Sequence, residues 1–140
     1  NAKDVLGKVD QAMIFMMIAG SYTPFAVRAF PPWVGVPLCG IVWTIAAMGV
    51  ALCVGASRLF DRIGTALYLG IGWLVILVMP LLIAAVSGPV LGLLVAGGVV
   101  YSLGVVAHRL VHVAFHNVAW HGMVVAAAAL HLAAIALILP

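Results

Sequence analysis

Long apolar runs, each of about twenty residues and separated by short polar or proline-bearing stretches, dominate this chain. Wound as an α-helix, a run of that length matches the roughly 30 Å hydrocarbon core of a bilayer. No water is available at that depth, so backbone N–H and C=O groups must be bonded within their own segment. The runs lack the alternation of a half-buried strand, which leaves helices as the spanning element. A mean hydropathy of +1.35, with 67% hydrophobic and 6% charged residues, excludes an ordinary soluble domain. The expected fold is all-α, a polytopic transmembrane helix bundle forming one domain over residues 1–140.

Five spans are expected, over about residues 10–27, 34–54, 63–86, 90–108 and 116–139. Residues 1–9, with Lys3, Asp4 and Lys8, read as a polar, basic lead-in at the interface. Pro24 lies inside the first span, where it removes a backbone donor and frees the carbonyl of Gly20. The Ser21 and Thr23 hydroxyls offer local compensation, and a kink is expected there. Phe30-Pro31-Pro32-Trp33 reads as a turn with its aromatics at headgroup depth. Residues 55–62 read as a polar loop, Pro80 as a bend in the third span, Ser87-Gly88-Pro89 as a turn and residues 109–115 as a connector. Small residues at Ala66 with Gly70, Gly97 with Gly98, and Gly104 mark places where helices can approach closely. The chain starts at Asn1 without a methionine or a signal-peptide pattern, and it reads as a fragment or a chain missing its beginning.

Five spans would place the two ends on opposite sides of the membrane. The side holding residue 1 then collects Lys3, Lys8, Arg58, Arg62 and Arg109, against Arg28 alone on the other. The positive-inside rule makes the richer side cytoplasmic. The net charge of +3 is scattered over the loops with no patch or interleaved aromatics, which argues against a nucleic-acid partner. Cys39 and Cys53 are fourteen residues apart, about 21 Å along one helix, too far for a disulfide within it.

Polar side chains inside a membrane are costly and tend to face a partner, a cavity or a metal. The last span opens with three of them, His116, Asn117 and His121. Asn117 and His121 are one turn apart and about 40° around the helix, so both can reach one point, whereas His116 is about 140° from His121. This turn reads as one wall of a metal site near a membrane face, with Asp10 at matching depth on the first span. The plainer readings are an N-terminal cap for Asp10 and an interfacial, carbonyl-bonded histidine for His121. His131 is about 15 Å deeper and about 80° away, so it reads as a packed, hydrogen-bonded histidine. His108, His112 and His116 have a chelating spacing that the connector interrupts. Trp33 and Trp120 read as interface anchors, and Met13, Phe15, Met16 and Met17 as lipid-facing or packing surface.

Four stretches carry a resemblance that covers nearly the whole chain. They are LGKVDQAMIFMMIAGSYTPF from Leu6 to Phe25, LYLGIGW from Leu67 to Trp73, AGGVVYSLG from Ala96 to Gly104 and NVAWHG from Asn117 to Gly122. In that order they resemble the hemolysin III family, the bacterial branch of the progestin and adiponectin receptor superfamily, with alkaline ceramidases as more distant relatives. The resemblance implies a seven-helix membrane fold with a cytoplasmic amino end, of which helices three to seven are expected here. It implies a zinc ion near the cytoplasmic face, held by one histidine of helix two and histidines of helix seven, with a helix-three aspartate holding the zinc-bound water. Asp10 matches that aspartate and His121 the later helix-seven histidine. Asn117 falls where receptor members have the earlier histidine, and an amide is a poor zinc ligand beside imidazole. His116 is a substitute if the helix start is distorted, and Gln11 replaces a histidine common beside the aspartate. The helix-two ligand is not in this chain, so the chain alone is expected to bind zinc weakly or not at all.

The expected function, from the resemblance, is zinc-dependent hydrolysis of an amide in a membrane lipid such as a ceramide, in a bacterial inner membrane. Asp10 would orient or deprotonate the water, and membrane lipids would be both surroundings and substrate. The alternatives are a pore-forming hemolysin or channel and a receptor without chemistry. A b-type haem site is disfavoured: the first three expected spans hold no histidine, and His121 and His131 share a helix.

Overall fold

The computed structural model describes residues 2–109, 112 and 114–140. Within them every element is helical: α1 (Ala2–Arg28), α2 (Pro32–Gly55), α3 (Ser57–Trp73), a 3-10 segment (Leu74–Val78), α4 (Met79–Ala85), α5 (Gly88–Arg109) and α6 (His116–Ile138). Four stretches are long and apolar enough to cross a membrane: Pro32–Gly55, Arg58–Ala85, Gly88–Arg109 and His116–Ile138. The 27-residue α1 is not among them. Charged residues load both of its ends, and Gly20 to Pro24 dilute its apolar middle. From Ala2 onward, the lead-in expected over residues 1–9 is continuous with the helix that follows. The chain groups into two compact units, Asn1–Val78 and Met79–Pro140, each taken by itself below.

In the first unit α1 and α2 form a hairpin. Proline supplies the start of α2, because Pro31 is extended and Pro32 sits in the first turn, where its missing N–H costs no helical bond. The carbonyl of Pro31 accepts from Val34 and Gly35. Close approach then depends on glycine. A Cβ at Gly35 would collide with the Ala26 carbonyl, and one at Gly49 with the Phe15 ring. Phe15 is fully buried and meets Tyr68 of α3 at 4.6 Å and Phe60 at 6.2 Å. At the far end Lys8 Nζ donates to the Val54 carbonyl (3.2 Å), a cation at the carboxyl end of α2 where the helix dipole favours it. Cys53 Sγ donates to Gln11 Oε1 at 3.3 Å.

Two boundaries differ from the sequence reading. The polar loop expected over residues 55–62 shrinks to Ala56 alone, which breaks the helix at φ −135°, ψ 57°; Arg58, Asp61 and Arg62 stand exposed on the opening turns of α3. The third span is interrupted at Leu74–Val78, ahead of the Pro80 where a bend was expected. Pro24, by contrast, is absorbed within a continuous α1. Ser21 and Thr23 bond the carbonyls of Ile18 (2.8 Å) and Ala19 (3.0 Å) rather than that of Gly20. Phe30 is buried, so of the turn aromatics only Trp33 is exposed.

In the second unit α5 and α6 pair as a hairpin with α4 against α5. Glycine again sets the approach. Gly97 lies under the His131 ring, and a Cβ at Gly104 would stand 3.0 Å from Met123 and 3.2 Å from Trp120. Ala66 and Gly70, expected to line a crossing, are exposed, and nothing lies within 4 Å of a Cβ at Gly70. Of the expected connector over residues 109–115, Leu110, Val111 and Val113 lie outside the described residues.

Gly35→Ala and Gly49→Ala are each expected to lower stability by about 1–3 kcal/mol, the usual cost of overpacking. Gly40→Ala meets nothing within 4 Å and is expected to leave stability unchanged or slightly raised, through helix propensity. Thermal unfolding of the three variants in detergent micelles checks the contrast.

Candidate functional site

The amino end of α6 is set by an uncommon backbone turn. Phe115 precedes the helix in the left-handed region (φ 63°, ψ 18°), a conformation costing a non-glycine residue about 1–2 kcal/mol. Its carbonyl accepts from Ala119 at 3.0 Å, starting the helical ladder. The rotation of α6 is then set by Trp120. That ring is buried, 5.8 Å from Tyr101 and 5.3 Å from His108 of α5, which lie two turns apart on one face. The interface-anchor role expected for Trp120 is therefore corrected: its indole packs inside the hairpin.

With Trp120 turned toward α5, helical geometry swings Asn117 and His121 about 60° and 100° to one side of it and His116 about 40° to the other. Asn117 and His121 are exposed, and His116 is half-buried. The amide and the imidazole thus share an outward face. His116 is helical from the start of α6, so a joint role with His121 would require that turn to unwind. The four-residue stripe of His108, His112 and His116 is broken in the structure: α5 ends at Arg109, and His112 lies in a turn before α6 begins.

Asp10 belongs to the first unit, exposed on the third turn of α1. The helix starts at Ala2, so the capping role considered for Asp10 does not apply. His116, Asn117 and His121 belong to the second unit. Among the described residues no group of three or more His, Cys, Asp or Glu side chains gathers to hold a metal. Protein-bound zinc takes three or four such ligands. The described part of this chain offers at most a partial donor set, and the set does not by itself fit a zinc ion.

Deeper in the hairpin, His131 is a packed, hydrogen-bonded histidine. Its ring bonds to the Leu94 backbone and lies over Gly97. Tyr101 is a residue the sequence reading passed over. It is buried, and its hydroxyl has no hydrogen-bond partner among the described residues. Its spacing of seven from His108 was the signal that both face Trp120.

A family model described as Haemolysin-III related matches residues 1–132. The chain belongs to the hemolysin III family. Its relatives include the hemolysin-3 homolog of Bacillus subtilis (strain 168), 35% identical over 127 residues, covering 91% of this chain and 60% of the relative. Another is hemolysin-3 of Bacillus cereus, 32% identical over 122 residues, covering 87% of this chain and 56% of the relative. This hemolysin III chain therefore spans less than two thirds of the length of these two relatives. No solved structure gives a significant match.

Two expectations follow from the α5–α6 packing. Gly97→Ala is expected to cost about 1–3 kcal/mol by driving a methyl group into the His131 ring. The double variant with His131→Ala should recover part of that loss, a coupling that a double-mutant cycle measures. Tyr101→Phe removes an unpartnered buried hydroxyl and keeps the ring against Trp120, so its melting temperature is expected to equal or exceed that of the parent protein.

Proposed function

We propose that the full-length protein is a zinc-dependent intramembrane hydrolase of lipid amides, ceramidase-like in its reaction, with its site at the cytoplasmic face. The observation that carries this reading is the outward face of α6, where Trp120 fixes the helix so that His121 and Asn117 are presented together. In this reading His121 is the imidazole ligand that this chain supplies, and Asn117 stands at a neighbouring ligand position. The remaining ligands come from outside the described residues. Zinc, when bound, lowers the pKa of its water to about 7 and polarises a carbonyl. Asp10 has a carboxylate suited to orienting the attacking water and accepting its proton at Oδ. The apolar spans keep the reaction among lipid chains, and the substrate is drawn from the surrounding bilayer.

A second reading comes from the printed names of the two relatives, which are hemolysins. It has the chain permeabilise a membrane, without any role for a metal.

Zinc analysis of purified full-length protein tests the first reading. His121→Ala is expected to lose most of the bound zinc, and an unchanged zinc content discards the ligand assignment. Asp10→Asn is expected to keep the zinc while losing about 10²- to 10⁴-fold in hydrolysis of a ceramide, the range for removal of a general base. Dye release from liposomes separates the rival: leakage that persists in His121→Ala and in chelator supports permeabilisation.

A further inference from the structure

In a regular α-helix the Val75 N–H would donate to the Ile71 carbonyl four residues back, and in a 3-10 helix to Gly72 three back. In the third span α3 has ended at Trp73, and Val75 N–H finds a side-chain acceptor. Val75 N–H donates to the phenol oxygen of Tyr22 at 3.0 Å, and that hydroxyl lies 2.9 Å from both the Ile71 and the Gly72 carbonyl oxygens. Its single hydrogen is shared between two acceptors. Tyr22 of α1 is thereby inserted into the backbone ladder of its neighbour, one of the few physical causes of a sharp helix break. The Ile71 carbonyl also accepts from Leu74, which opens the 3-10 segment. Five residues downstream of Val75, Pro80 has no N–H, so the Ile76 carbonyl loses its α-helical donor as well. The ladder is interrupted twice in ten residues, and the 3-10 run of five residues is longer than such runs usually are.

We infer that Tyr22 is the latch of a two-state element in the third span. In the inserted state Leu74–Val78 is 3-10 helical and the tyrosine hydroxyl bridges Val75 to Ile71 and Gly72. In the closed state the hydroxyl withdraws, Val75 N–H returns to the Ile71 carbonyl, and α3 continues through Leu74–Val78. Both states satisfy the Val75 donor inside the hydrocarbon, which neither could leave unbonded. The rise per residue falls from about 2.0 to 1.5 Å on closing, so the five-residue segment shortens by about 2.5 Å. Each residue also turns by about 100° rather than 120°, so the two ends of the segment rotate by about 100° against one another. The device is independent of the zinc reading and uses none of its residues.

The test uses the full-length protein in lipid nanodiscs, with isotope-labelled isoleucine, glycine and valine. Backbone carbon shifts distinguish α from 3-10 geometry, and relaxation dispersion detects microsecond-to-millisecond exchange. The parent protein is expected to show exchange confined to residues 71–78. Tyr22→Phe keeps the ring and deletes the hydroxyl; it is expected to remove that exchange and move Ile71 and Val75 toward α-helical shifts, a population change of about two- to tenfold for one lost hydrogen bond. Pro80→Ala restores the donor to the Ile76 carbonyl, and with Tyr22 intact it is expected to raise the closed population. A parent protein without exchange at these residues overturns the proposal. So does retention of 3-10 shifts in both variants, or in Pro80→Ala alone if Tyr22→Phe does not fold.

Discussion

The absence of water in the hydrocarbon core is the constraint from which this molecule follows, because each backbone donor must find its acceptor inside the protein. Helices meet that demand segment by segment, and the few side-chain hydroxyls are made to join in. Ser21, Thr23, Thr44 and Ser102 all donate back to a carbonyl three or four residues earlier on their own helix. Such back-bonding neutralises a hydroxyl without asking anything of a neighbour. Several described polar side chains cross between helices and have specific tasks. Trp43 Nε1 donates to Thr23 Oγ1 at 3.1 Å, Tyr68 to the Gln11 carbonyl at 3.2 Å, and Tyr22 enters the ladder of the third span.

Packing follows from the same solvent. Lipid chains are as apolar as leucine, so hydrophobic burial contributes little to pairing helices, and close fit has to replace it. Glycine makes that fit possible where a ring or a backbone carbonyl must come in. Gly49 receives Phe15, Gly35 receives the Ala26 carbonyl, and Gly97 receives His131. The large side chains left outside, such as Val36, Ile41, Leu77, Val125 and Leu132, lie on the spans themselves, where acyl chains are the natural neighbours.

Four of the five expected spans were legible because hydropathy and length are properties of single segments. The ends of α2, α5 and α6 lie within two residues of the expected boundaries. Less legible was whatever depended on a second helix. Arg58, Asp61 and Arg62 look like loop residues by composition, yet they belong to α3 because a single residue suffices to turn the chain. Trp120 looks like an interfacial anchor until Tyr101 and His108 are found on the facing helix. The third-span break lies upstream of Pro80, where the hydroxyl of a tyrosine some fifty positions earlier in the chain bonds the backbone. The shared face of Asn117 and His121 could be read from their spacing alone. Which residues stand opposite that face depends on distant parts of the protein, and spacing carries no information about them.

The link between α2 and α3 has a consequence for how the protein enters its membrane. Ala56 is all that separates the end of one apolar segment from the start of the next. So short a tether leaves the two segments no means of being handled one at a time by the insertion machinery. They would have to partition into the bilayer as a re-entering pair, committed together.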